Sequence, residues 1–400
     1  MRKIIPYGKQ HITETDIDAV IEVLKGDFLT QGPKIEEFEK AFNNYIGSSY
    51  SIAVTNGTAA LHLCAMALYV QPGDKVIVPP LSFSATANCI RYCGGDVVFS
   101  DIDPETLLLD IKLVRNLLSS SPEGTFKGII PVDFGGRPIQ MDEFRELADE
   151  FGLWIIEDAC HAPGAFYRDR TGKRQNSGNG AFADLAIFSF HPVKHIACGE
   201  GGMITTNNRE LYERILKLRT HGITRDPSLF KNSILEAGGD ASDSNYPGWY
   251  MEMQELGYNY RLTDFQAALG KSQLERANEG ILRRLEIASK YNEAFINNKN
   301  IEIIFNKAQS EFRNAHHLYI IQLKNRLGLY NFLRENDIFA QIHYFPIHLM
   351  PYYKNLGYKL GDMPFAEEYY SKCISLPIYP SLTEEEQLYV IDKINSFVND

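Results

Sequence analysis

The stretch FSFHPVKHIACGEGGMITT, residues 188–206, joins two apolar runs through a loop that carries Ser189, His191 and Lys194. Gly199, Gly201 and Gly202 then turn the chain into the second run. A lone lysine in a loop is ordinarily a solvated surface group. Here the loop is clamped between two strands that read as buried, so the ammonium would be desolvated and its pKa lowered, the condition a Schiff-base lysine needs.

Similar runs recur upstream: SIAVT (51–55), KVIVP (75–79), VVFSD (97–101), GIIPV (128–132), LWIIE (153–157) and LAIFSF (185–190), with MITT (203–206) closing the series. Continuous rather than alternating apolar runs mark strands buried on both faces, and helix-length spacers supply parallel crossovers. The expected fold class is α/β, with a mainly parallel seven-stranded sheet. Two amphipathic helices precede it. Thr13 and Asp16 stand at capping-box spacing ahead of Ile17, Val20, Ile21 and Leu24, and Ile35, Phe38, Phe42 and Tyr45 form the next apolar stripe. Residues 224–250 are polar, Gly/Pro-rich and without period, which predicts a lid-like insertion. Residues 262–297 read as helical. IEIIF, HLYIIQL and IFAQIHYF, alternating with LGLYNFLRE and EEEQLYVIDKINSF, predict a small C-terminal α+β domain at 275–400 after a large domain at 1–274.

The chain has 400 residues and a formal charge of −11, with 44% hydrophobic and 23% charged residues. An acidic balance with dispersed Lys and Arg argues against nucleic-acid and anionic-membrane partners. No apolar run is long enough to span a bilayer and MRKIIPYGKQ does not open a signal peptide, so the expected compartment is cytoplasmic. Six scattered cysteines without zinc-ligand spacing read as reduced core thiols, and no metal site is expected.

In VTNGTAALHL (54–63) a strand ends, Asn-Gly turns, and a helix starts at once, so free amides and the positive helix end face the turn. This is an anion cradle, although most such turns are purely structural. GNGAFA (178–183) imitates a dinucleotide fingerprint but precedes a strand, so it reads as a loop. LWIIEDACHA (153–162) places Glu157, Asp158 and His161 at a strand's C-terminal end, where ligand crevices lie in such sheets. Asp158 alone could equally cap a helix. One cofactor unites these features, pyridoxal 5'-phosphate, which needs a lysine, an acid for its pyridine nitrogen, an aromatic cover and a phosphate cradle. Lys194, Asp158, Phe83 of PPLSFSAT (79–86), and Gly57-Thr58 with Ser189 are the candidates, in that order. Arg219, Arg225 and Arg261 could grip a pyrophosphate or a carboxylate, with an ordinary ion pair as the alternative for each. His62 and His221 read as structural.

Beyond these motifs, FLTQGPKIEEFE (28–39), NGTAALHL (56–63), PGDKVIVPPLSFSATAN (72–88), DIDPETLLLD (101–110), EDACHAPGA (157–165), SFHPVKHIACGEGGMITTN (189–207) and ELGYNYRLTDFQAALG (255–270) carry a resemblance. From residue 7 to about 350 the chain resembles the DegT/DnrJ/EryC/StrS family of nucleotide-sugar aminotransferases, which implies a fold type I PLP-dependent transferase. Within it, DACHA, HPVKHI and HGITRD are most similar to the pseudaminic acid branch. The resemblance implies that Lys194 and Asp158 are catalytic, that Phe83 stacks on the cofactor, and that Gly57, Thr58 and Ser189 hold its phosphate. It further places His161 at the cofactor, Asn259 at the phosphate of a neighbouring subunit in a homodimer, and Thr30, Gln31, His343 and Tyr344 near the sugar nucleotide. Many members have Gln where His161 stands and Ser where Asn56 stands. The implied reaction moves an amino group from L-glutamate to C4 of a UDP-linked 4-keto-6-deoxy-N-acetylhexosamine. The alternatives are a dTDP- or GDP-linked sugar, a PLP-dependent sugar dehydratase, which in this family has His in place of the lysine, and a non-catalytic paralogue.

Overall fold

In the computed structural model, which describes residues 4–240, 242–304 and 311–399, all seven apolar runs form one sheet. Its strands are β1 (Tyr50–Val54), β2 (Lys75–Val78), β3 (Asp96–Phe99), β4 (Phe126–Ile129), β5 (Trp154–Asp158), β6 (Leu185–Ser189) and β7 (Gly202–Thr206), in the order β1-β7-β6-β5-β4-β2-β3. Strands β6, β5, β4, β2 and β3 run parallel, while β7 is antiparallel to both β6 and β1. The mainly parallel reading therefore holds with one reversed strand. Its reversal follows from the loop 190–201, which closes on itself through Phe190 N to Gly201 O (2.8 Å) and Cys198 N to Phe190 O (3.0 Å) and has no room for a crossover helix. Val76, Ile77 and Val78 of β2 and Leu185 to Phe188 of β6 are fully buried, as continuous apolar runs require.

Helices α1 (Glu14–Lys25), α2 (Pro33–Ile46), α3 (Gly57–Ala67), α4 (Ala85–Tyr92), α5 (Ile111–Ser119), α6 (Met141–Phe151) and α7 (Arg209–Arg219) surround the sheet, followed by α8 (Asp264–Glu275) and the long α9 (Ala277–Phe295). The expected stripe of α2 is buried through Ile35, Phe38 and Phe42. The capping box of α1 forms, but its expected apolar face does not point inward: Ile17, Ile21 and Leu24 are 42%, 39% and 57% exposed. What turns the helix is Asp16, fully buried, whose carboxylate accepts from Ser272 Oγ (2.7 Å), Gln273 Nε2 (2.8 Å) and Thr13 N (2.8 Å) and pairs with Arg276. A buried charge needs such partners, and satisfying it outweighs burial of three aliphatic groups.

Further along, β8 (Glu302–Ile303), β9 (Tyr319–Gln322) and β10 (Cys373–Leu376) form an antiparallel three-stranded sheet. With Tyr291 and Phe295 of α9, Leu329 and Leu333 of the helix Arg326–Glu335, and Val390 and Ile394 of the helix Glu384–Asn399, it encloses a second apolar core. Ile5 belongs to this core, because Ile5–Pro6 pairs in parallel with Ile338–Phe339. Ile304, Leu318 and Ile320 contribute instead to the core of the large sheet, which knits the two regions together. Phe305, the last residue of the expected strand IEIIF, and Ala241 within the expected lid lie outside the described residues. Beyond Thr224 the described part of this segment is loop with one short turn of 3₁₀ helix, Pro227–Leu229, and its base is closed by pairing of Ile223–Thr224 with Glu252–Met253. Among the described residues no helix is long and apolar enough to cross a membrane. All six cysteines are free thiols.

Candidate active site

Three elements end at one place. Strand β1 delivers Asn56, whose side chain accepts from Ala59 N (2.8 Å) and caps α3, so the amides of Gly57 and Thr58 have no intrahelical acceptor. Ser189, last residue of β6, lies against them: a Cβ on Gly57 would stand 3.1 Å from Ser189 Cβ and 3.4 Å from its Oγ. From the other side, a Cβ on Gly202 would come within 2.6 Å of the Asn56 carbonyl and 2.9 Å of Gly57 N. The cradle thus exists only because two glycines leave its walls free.

At the end of β5, Glu157 and Asp158 point to opposite faces. Glu157 accepts from Gly178 N (2.8 Å), and burial together with the nearby Asp133 carboxyl drives its pKa up. Burial likewise raises Asp133, to about 7. Asp158 faces the cradle side. Its Oδ2 accepts from Thr86 Oγ1 (2.7 Å) and its Oδ1 from Cys160 N (3.2 Å), which leaves lone pairs for another donor. Thr86 is fixed in turn by Ser82 Oγ at 2.7 Å.

Lys194 hangs in the loop between β6 and β7, whose Phe190, Ile196 and Cys198 are anchored in the core. Burial lowers its pKa, against the opposing pull of Cys160 and Asp158. Its Nζ lies 3.5 Å from His317 Nε2. Around it stand neutral imidazoles. His161 and His317 have ring centroids 4.2 Å apart, and burial holds both well below the usual histidine range. His161 accepts from Gly135 N (3.3 Å) and meets the Tyr344 hydroxyl with its other nitrogen (3.3 Å). His343 contacts Ser375 Oγ at 2.9 Å, and burial pushes it down to about 3. Phe83 is 60% exposed, its ring 6.4 Å from that of Tyr344.

The structure thus gathers Lys194, Asp158, His161, Ser189, Gly57, Thr58, Phe83, His343 and Tyr344 into one region. Thr30, Gln31, Arg225 and Asn259 are exposed on the same chain, with Thr30 bridged to Thr263 and Asn259 to Thr220, while Tyr260, next to Asn259, gives its carbonyl to Thr55 N (2.8 Å) beside the cradle. Among the described residues no hydrogen bond links these four to Lys194, Asp158 or His161. Arg219 is committed to a half-buried pair with Glu39 (2.8 Å) and to Ala53 O (2.8 Å), which fits the ion-pair alternative. His62 is structural, with its Nδ1 3.2 Å from the Tyr260 hydroxyl. Sequence reasoning missed Thr86 and His317. The adjacent pair in NAHHLY (314–319) was the only local signal for the second.

The cradle of free amides, the carboxylate with spare lone pairs and the half-buried amine fit pyridoxal phosphate. Comparison with known proteins agrees. The model of the DegT/DnrJ/EryC1/StrS aminotransferase family matches residues 10–395. The chain is 36% identical to the spore coat polysaccharide biosynthesis protein SpsC of Bacillus subtilis over 98% of its own length and 97% of the relative's. It is 35% identical to a UDP-4-amino-4,6-dideoxy-N-acetyl-beta-L-altrosamine transaminase of Campylobacter jejuni, covering 99% and 98%. To GDP-perosamine synthase of Escherichia coli O157:H7 it is 33% identical, covering 100% of both chains. Among solved structures, the putative sugar aminotransferase Spr1654 of Streptococcus pneumoniae in its PLP form is similar at TM-score 0.86 and 28% identity over 99% of both chains, and a PMP form is equally similar. PseC of Helicobacter pylori, an aminotransferase involved in pseudaminic acid biosynthesis, matches at TM-score 0.86 and 27% identity over 99% of this chain and 100% of that one. The chain therefore belongs to the DegT/DnrJ/EryC1/StrS aminotransferase family, as a PLP-dependent nucleotide-sugar aminotransferase.

Proposed function

We propose that the enzyme transfers the amino group of L-glutamate to C4 of a UDP-linked 4-keto-6-deoxy-N-acetylhexosamine. The observation that carries this reading is the 35% identity, over nearly the whole chain, to the UDP-altrosamine transaminase. The GDP-perosamine synthase, at 33% over both full lengths, favours a second reading with a GDP-linked keto sugar.

In this reading Gly57, Thr58 and Ser189 hold the cofactor's phosphate, Phe83 covers its ring, and His161 meets its edge. Bound there, pyridoxal phosphate supplies an electron sink for the carbon next to the transferred nitrogen. Asp158, held by Thr86, keeps the proton on the pyridine nitrogen. Lys194 anchors the cofactor, takes the proton from the α-carbon of glutamate and later delivers one to C4 of the sugar. Glutamate leaves as its 2-oxo acid. His343 and Tyr344 flank the sugar, with Thr30, Gln31 and Arg225 toward its nucleotide.

Residues 1–274 and 275–400 act as large and small domains. The working unit is a homodimer in which the partner's Asn259 reaches the phosphate. Support comes from the exposed apolar strip of Ile17, Ile21, Leu24, Phe28 and Leu29, which a second copy would cover. The test is incubation with glutamate and UDP-, GDP- or dTDP-linked 4-keto-6-deoxy sugars, followed by mass spectrometry and NMR. A UDP-4-amino sugar is the expected product. Turnover of a GDP- or dTDP-linked ketone with none of the UDP substrate would replace this assignment.

A further inference from the structure

One buried acid stands outside the catalytic cluster. Asp264, the first residue of α8, is fully buried, and among the described residues no Lys, Arg or His pairs with it. It is not needed to start its own helix, because Thr263 and Gln266 already form a capping box there. Its carboxylate reaches far back along the chain instead. Oδ2 accepts from Gly32 N, 232 positions away (2.8 Å), and Oδ1 accepts from Lys34 N (3.0 Å). These amides open α2, whose N-cap, Gly32, has no side chain to serve them.

A buried carboxylate without a counter-charge is a costly way to join a loop to a helix, and an apolar contact would serve for adhesion alone. What the carboxylate adds is direction. Two amides two residues apart must both aim at it, which fixes the backbone from Gly32 to Lys34. Gln31, just before, is held at φ 56°, a left-handed conformation uncommon in residues other than glycine. The main chain adds two ties, Asp264 N to Leu29 O (3.0 Å) and the bridge between Thr30 and Thr263. Gln31 and Arg261 line one groove of about 1590 Å³, so the loop held by Asp264 is a wall of open space.

The same strip leads to the cofactor's cradle. Arg261 bridges Val54, and Tyr260 O accepts from Thr55 N (2.8 Å), immediately before Asn56, Gly57 and Thr58. Residues 260–264 are therefore bonded both to the loop 28–32 and to the strand end that carries the cradle. Asp264 is the side chain that closes the loop's half of this connection.

We propose that Asp264 is a positioning residue for the transamination: by fixing the loop 28–32 against the strip 260–264, it sets where the sugar substrate lies relative to the cofactor. This role rests on the reading above that Thr30 and Gln31 meet the sugar nucleotide, and not on which nucleotide that is.

Three variants of the holoenzyme test it. Asp264→Asn keeps the shape but turns an NH2 group toward one of the two amides. Gly32→Ala disturbs the clamp from the loop side, since the new methyl stands 2.7 Å from Asp264 Oδ1 and against Phe28, while α8 keeps its sequence. Gln31→Ala removes a contact and leaves the clamp. Hydrogen exchange reads the clamp without substrate: amides of residues 29–34 should exchange faster in Asp264→Asn while the interior of α8 stays protected. Kinetics read its use. In Asp264→Asn and Gly32→Ala, KM for the keto sugar should rise about tenfold, as loss of one hydrogen bond to a charge implies, with kcat nearly unaltered. Transfer from glutamate alone, followed by the cofactor's visible absorbance, should keep its rate. Unchanged exchange in 29–34 overturns the clamp. Faster exchange with unaltered KM in Asp264→Asn overturns the positioning role, as does a loss of both half-reactions in step with the melting temperature. A raised KM in Asp264→Asn upholds it even where Gln31→Ala leaves KM unaltered, an outcome that removes only Gln31 from the sugar's contacts. It upholds it equally if the sugar turned over is GDP- or dTDP-linked.

Discussion

The hydroxyl of Thr86 donates to Asp158 Oδ2 at 2.7 Å across 72 positions of sequence, and this bond fixes which way the carboxylate faces. If Asp158 keeps a proton on the pyridine nitrogen, Asp158→Asn should remain folded yet lose transamination by about 10²–10⁴-fold, the range of a removed acid–base group. Thr86→Val should cost about tenfold, as one hydrogen bond to a charge does, with recovery in Thr86→Ser. A matching fall in melting temperature, with activity per folded molecule unchanged, would reduce both residues to structural roles.

Lys194 should be indispensable. Lys194→Ala is expected to lose the visible absorbance of the covalently held cofactor and all turnover. Because burial lowers the pKa of this amine, the pH dependence of cofactor uptake by the apoenzyme should turn over below the ordinary lysine value. His317→Phe, which removes the acceptor at 3.5 Å, should slow uptake severalfold without unfolding the protein. Near-normal transamination by Lys194→Ala would sink the assignment.

Crowding the phosphate cradle should show first in cofactor retention. In Gly202→Ala the new methyl meets backbone atoms of Asn56 and Gly57 at 2.6–2.9 Å, which cannot rotate away. The expected outcome is a destabilisation of about 1–3 kcal/mol and loss of cofactor on dialysis. Gly57→Ala meets the Ser189 side chain at 3.1 Å and should weaken cofactor binding with a smaller stability loss. Unchanged retention in both would move the phosphate elsewhere.

Asn259 is exposed on its own chain, which suits a residue that serves a neighbour. Mixing Lys194→Ala with an inactive Asn259 variant should restore partial activity once subunits exchange. Absence of recovery despite demonstrated exchange would favour a site built within one chain.

Acid should unfold the enzyme through its buried histidines. Burial lowers His316 to about 4 and His343 to about 3, with Arg284 and Lys194 adding repulsion respectively. Below the unfolded value of about 6.5 the unfolded chain takes up protons that the native state refuses, so stability falls as pH drops from there toward the folded values. Each group contributes at most about 1.4 kcal/mol per pH unit within that window. His316→Asn, tolerable at a backbone φ of 47°, should flatten the dependence of melting temperature on pH between 4 and 6. An unaltered slope would clear His316 of this role.

The seven strands could be read because each is a continuous apolar run, a pattern that leaves a sheet little alternative. The direction of β7 could not, since it is set by how loop 190–201 closes rather than by anything within MITT. Which side of α1 turns toward the protein was hidden for a related reason. Its orientation depends on Asp16 meeting Ser272, Gln273 and Arg276, more than 250 positions away. Lys194 and Asp158 stood out as candidates because each has a local mark, a clamped loop for one and a strand end for the other. Thr86 and His317 reach the same place only through tertiary structure and carry no such local mark.

The pairing of Ile5 with Ile338 ties one segment of the chain to another made more than 300 residues later. At about 5–20 residues per second, the ribosome takes roughly 20 to 60 seconds to supply that partner. Throughout that interval the N-terminal segment must stay uncommitted, and its apolar residues are open to chaperones or to other nascent chains. Fusions that bulk up the N-terminus should therefore reduce soluble yield more than the same fusion at the C-terminus, without altering the specific activity of the molecules that do mature.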